Sequence, residues 1–139
     1  MFRRLIVFTL FGVILVCHPL WADQDKETEA LMAASEWLSA IDGGNYADSW
    51  DDTSKYFQNS VEKNKWNDTL VAFRKPLGDV LSRKVTSKKY TTELPDAPDG
   101  EYVVIQYDTS FKNKASAVET VTPVLDEEGT WRVAGYFIK

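Results

Sequence analysis

The chain is 139 residues long, with 16 basic against 21 acidic residues and a net charge of −5. That length fits one domain, and a 44% apolar share is globular rather than disordered. The negative balance excludes nucleic acid and anionic lipid headgroups as expected partners.

The first segment reads as an export leader. Arg3 and Arg4 precede an apolar run from Leu5 to Val16, broken only by Thr9 and Gly12. Pro19 then leads into Leu20, Trp21 and Ala22, ahead of the acidic Asp23-Gln24-Asp25. Charged, apolar and cleavage regions in that order make a secretory signal peptide, and the run is shorter than the roughly 20 residues a membrane-spanning helix needs. Residues 1–22 are therefore assigned to a signal peptide cut after Ala22. Residues 23–139 form a single domain, periplasmic or secreted, with no stable membrane anchor after cleavage. Val16 argues against an acylated Cys17, and twin arginines alone do not make a signal for prefolded export. The only thiol and the only imidazole, Cys17 and His18, leave with the leader. Cysteine nucleophiles, a Ser-His-Asp triad, zinc sites of Cys and His type and disulfides are thereby excluded from the remaining chain. No cofactor and no metal is expected, since the acidic "DEEG" at 126–129 is far too short for a twelve-residue calcium loop.

From Lys26 to Ile41, apolar Ala30, Leu31, Ala34, Trp37, Leu38 and Ile41 recur at spacings of three and four, which predicts an amphipathic helix ended by Gly43 and Gly44. Asn45 is placed to cap a short second helix carrying Tyr46 and Trp50. After a turn at Asp52 to Ser54, Tyr56, Phe57 and Val61 indicate another short helical piece. A further helix runs through Trp66, Leu70 and Phe73 and stops near Pro76 and Gly78. The period then changes. Val80 to Thr92, Glu101 to Phe111, Ala117 to Leu125 and Thr130 to Ile138 are rich in β-branched and aromatic residues and read as strands. They are joined by "LPDAPDG", "KNKAS" and "DEEG". Pro123 inside the third strand predicts an edge or a bulge, and Gly135 a second irregularity. "SRKVTSKK" at 82–89 reads as a solvated edge strand, alternation sending Arg83 and Lys89 to one face and Lys84 and Lys88 to the other. The expected fold class is α+β, with N-terminal helices packed on a curved four-stranded antiparallel sheet.

The stretches "RKPLGDVLSRK", "LPDAPDGEYVVIQYDTSFKNKASAVETVTPV" and "GTWRVAGYFIK" resemble the bacterial exported family catalogued as domain of unknown function 4019, over about Ala30 to Lys139. The resemblance implies the nuclear transport factor 2-like, cystatin-like cone, a strongly bent sheet wrapped around helices. It carries no established activity. Within that broad fold, enzymes resembling ketosteroid isomerase use a pocket Asp as base with a Tyr donor, while those resembling scytalone dehydratase rely on histidine, which residues 23–139 lack.

Asp108 and Glu119 are the candidate catalytic carboxylates, and Tyr107, Arg132 and Tyr136 the candidate pocket residues. A carboxylate buried against apolar rings has a raised pKa and moves protons. No residue-level motif of those enzymes matches, so no catalytic role is transferred. The bland assignment is an ion pair with Lys112, Lys114 or Arg132. The preferred function is a non-catalytic exported domain that binds a small apolar or amphipathic ligand, or a protein partner, on the concave face of its sheet. The alternatives are an isomerase- or hydrolase-like enzyme using Asp108 or Glu119, and a homodimerising interaction module.

Overall fold

Helix α1 spans Leu20–Asp42 in the computed structural model, which describes residues 20–139. The expected leader up to residue 19, with Cys17 and His18, lies outside the described residues. Ala30, Ala34, Trp37, Leu38 and Ile41 form the buried stripe of α1, as their spacing requires. The helix begins before Lys26, since no breaker interrupts residues 20–25. It ends in a Schellman turn: Asn45 N–H bonds Ala40 O (2.9 Å), Gly44 N–H bonds Ile41 O (3.1 Å), and Gly44 takes the left-handed φ of +77°. No helix among the described residues is long and apolar enough to cross a membrane.

Three shorter helices follow, α2 (Tyr46–Asp51), α3 (Lys55–Ser60) and α4 (Lys63–Phe73), then a 3₁₀ turn at Lys75–Leu77. Asn45 precedes α2 without a side-chain capping bond, whereas Ser54 caps α3 by accepting from Phe57 N–H (3.1 Å). Trp66 lies at the centre of the helical layer. Its ring meets Phe57 edge-on at 5.0 Å and stands 6.2 Å from Trp37, and its indole N–H donates to the buried Ser49 hydroxyl (3.0 Å). Phe73, by contrast, points outward at 74% exposure.

The strands β1 (Val80–Thr91), β2 (Tyr102–Phe111), β3 (Lys114–Leu125) and β4 (Trp131–Ile138) form one antiparallel meander in the order β1-β2-β3-β4, with the helices on one side. The fold class is α+β, as expected. β3 starts earlier than Ala117 because the hairpin before it turns on Lys112 and Asn113 alone. Val103, Ile105, Tyr107, Val121, Trp131 and Val133 pack against Trp37, Leu38, Ile41 and Trp66 to make the core. Pro123 is fully buried in an inner strand. It is accommodated by a bulge: the pairing steps from Thr122 with Gly135 to Pro123 with Val133, so Ala134 is the extra residue. The two irregularities expected at Pro123 and Gly135 are thus one.

A second register step, between Val85 and Ser87 in β1, corrects the expected division of the basic cluster. Arg83 pairs opposite Thr109 and Lys88 opposite Ile105, so these two face the helices. Lys84 and Lys89 pair opposite Asp108 and Val104 and are exposed on the outer face. One inserted residue inverts the alternation beyond it.

β1 and β4 are the sheet edges, and each is partly covered. Glu27 of α1 accepts the N–H of Tyr90 (3.1 Å), and Lys26 pairs with Glu101, which also accepts the Tyr90 hydroxyl (2.8 Å). On β4, Thr53 bridges Val133, with Ser54 N–H bonded to Val133 O (2.9 Å).

Candidate functional site

Glu119 has no exposed surface, and its carboxylate is the centre of a polar cluster between α1 and the sheet. β1 supplies Arg83, whose Nε–H donates to Oε1 at 2.7 Å and whose Nη2 lies 3.3 Å from Oε2. β2 supplies the Thr109 hydroxyl (2.6 Å to Oε1), and β4 the Tyr136 hydroxyl (2.5 Å to Oε2). These residues share a face because Arg83 pairs opposite Thr109, Tyr107 opposite Glu119, and Val121, two residues along from Glu119, opposite Tyr136. The far side of the Arg83 guanidinium grips Asp42 with two bonds of 2.7 and 2.9 Å. Arg74, at the end of α4, reaches Asp42 at 3.2 Å and the carbonyl of Gly78 at 2.8 Å.

Two carboxylates and two guanidiniums therefore form one neutral chain: Arg74, Asp42, Arg83, Glu119. Asp42 stands at the C-terminal end of α1, where the helix dipole disfavours an anion, and its two arginine partners offset that penalty. Burial works against the charge on Arg83, but the bonds to Asp42 and Glu119 outweigh it and hold its pKa above the usual arginine value. Burial, and then the neighbouring Glu119 charge, push the Tyr136 phenol well above the usual tyrosine range, so it remains a donor. Such a network is expensive to desolvate and costly to break at one member, because a partner charge is then stranded.

Of the candidate residues, Glu119 and Tyr136 meet directly, and Tyr107 lies beside them. Its buried hydroxyl lies near Ser35, and burial raises its pKa against the lowering influence of that neighbour. Asp108 lies on the opposite face of the sheet, exposed and across from Lys84. Arg132 is also elsewhere, paired with Asp126 at 3.0 Å. The partner of Glu119 is thus Arg83, and not Lys112, Lys114 or Arg132, because Arg83 shares its face of the sheet.

Of two open grooves on the described surface, only the first adjoins this cluster. One, of about 410 Å³, lies between α4 and the end of β4; Trp66, Leu70, Phe73, Arg74, Tyr136 and Phe137 line it, with Lys114 and Lys139 at its rim. The other, about 600 Å³, runs between α3 and the β3–β4 hairpin and is walled largely by charged tips, including Asp51, Lys55, Asp126, Glu127, Glu128 and Arg132. The smaller groove is the more apolar, and the Glu119 network forms its inner wall through Tyr136 and Arg74.

Asp42, Arg74 and Thr109 are cluster members absent from the expected site, and Arg83 was expected only as part of a solvated edge strand. One signal was present: Arg83 is the only arginine in "SRKVTSKK", and a planar fork suits a buried carboxylate where an ammonium suits water. The bulge that determines its face left no comparable mark.

A comparison with curated proteins finds no match. A family model described as protein of unknown function (DUF4019) matches residues 33–136, which takes in α1 from Ala33, all the short helices and the sheet through Tyr136. The chain belongs to that family.

Proposed function

We propose that this protein is an exported, non-catalytic binding domain that holds a small amphipathic ligand in the groove between α4 and β4. The observation that carries this reading is the groove itself. Phe73 and Phe137 stand 74% and 52% exposed beside an apolar floor that includes Trp66 and Leu70, an arrangement that lowers its free energy by covering those rings. The state of Glu119 supports the same reading. A general base needs a free lone pair within reach of a substrate proton, whereas Arg83, Thr109 and Tyr136 already occupy both oxygens of Glu119. Helices followed by an antiparallel meander, bent by bulges, are in keeping with the nuclear transport factor 2-like cone that the family resemblance implies.

Export rests on the leader. Protein isolated from its native cells is expected to begin at Asp23; an N-terminus at Met1, or an acylated Cys17, overturns the assignment. For binding, mass spectrometry of small molecules extracted from natively purified protein is the direct test. A reproducible ligand that is lost from the Phe73→Ser/Phe137→Ser variant supports the groove. A ligand retained by that variant, or protein that purifies empty, counts against it.

A further inference from the structure

Resting on that binding reading, we infer that the occupant of the α4–β4 groove is a single-chain amphiphile with an anionic head, of the carboxylate type carried by a fatty acid. The argument is charge complementarity. In a chain of net charge −5, the side chains lining this groove include no carboxylate and, besides Arg74, whose charge Asp42 balances, two cations, Lys114 and Lys139. Among the described residues neither Lys114 nor Lys139 makes an ion pair, although five other cations do. Lys139 instead lies 5.8 Å from the centre of the Phe137 ring, and its main chain is bonded to Val118.

A second, independent observation points the same way. Arg74 is 3% exposed and lines the groove, and among the described residues its Nε–H has no acceptor, although the rest of its guanidinium is bonded to Asp42 and Gly78. A buried donor left without a partner costs free energy, and an anionic oxygen is the acceptor it best fits. The Phe111 ring, 4.6 Å from the guanidinium carbon, keeps that side chain in place. The groove volume lies within the range of small-ligand sites, and Trp66, Leu70 and Phe73 offer an apolar chain a surface in the same groove that the cations line.

Titration calorimetry with three twelve-carbon probes, each below its micelle concentration, tests this: dodecanoate, an uncharged dodecyl glycoside and dodecyltrimethylammonium. Dodecanoate is expected to bind at least tenfold more tightly than the other two. Lys114→Gln/Lys139→Gln, which leaves Arg74 and the apolar floor in place, is expected to reduce that preference several-fold while leaving the residual apolar binding, and a preference unchanged in that variant overturns the inference. Equal affinity for all three overturns the anionic assignment but leaves the binding domain standing. No binding by any probe overturns both. Anion-selective binding that survives Phe73→Ser/Phe137→Ser places the site elsewhere and overturns the inference.

Discussion

At Glu119, donors from the three other strands converge on a single carboxylate, so removing any one of them tests the whole cluster. Glu119→Ala leaves Arg83 with Asp42 alone and strips the Thr109 and Tyr136 hydroxyls of their acceptor, and is expected to destabilise the fold by about 3–5 kcal/mol, read from urea unfolding. Tyr136→Phe removes one bond to a charged group and should cost about 1.5–3 kcal/mol in the same assay. The phenol also gives a pH signature. Its folded-state pKa lies above the unfolded value near ~10, so the stability it contributes is complete below that pH and is lost as pH rises beyond it. Wild-type protein should therefore lose stability more steeply than Tyr136→Phe in unfolding measured above that pH.

Among the elements, α1 depends on its C-terminal turn. A side chain at Gly44 would meet nothing within 4 Å, so Gly44→Ala isolates the cost of the left-handed backbone, about 1–2 kcal/mol in thermal or urea unfolding. The β3–β4 hairpin has an acid signature instead. Burial tends to raise the pKa of Asp126, but bonds from Thr130, Arg132 and Glu128 prevail and lower it. Stability from this carboxylate is complete above the unfolded value of about 3.9 and is lost as pH falls through the folded one. Asp126→Asn is expected to flatten the acid limb of the unfolding profile. Periodicity made these elements legible: the Ala30 to Ile41 stripe, the four strands and the turn residues all follow from local chemistry. The faces of β1 did not, because the register step between Val85 and Ser87 leaves little trace in the neighbouring residues. Arg83 was consequently assigned to solvent, and the anchor of the cluster was hidden.

At the scale of the whole molecule, the excess negative charge lies outside the buried cluster, whose four ionised groups cancel. Glu119 and Tyr136 were legible as neighbours because both fall on strands near the C-terminus. Asp42 and Arg74 were not, because they reach the cluster from helix ends brought together only by folding.

The carboxylate of Glu27 on the outward N–H of Tyr90 has a further result. A sheet ending in an open β1 offers a row of hydrogen-bonding groups on which another polypeptide can grow. Glu27 stoppers that row, while the kinks at residues 81 and 86 spoil its straightness. Glu27→Ala should leave the unfolding midpoint nearly unchanged yet raise the share of fast-eluting species in size-exclusion chromatography at high concentration. The stopper then serves as a guard of solitude, keeping the chain from accreting its own copies.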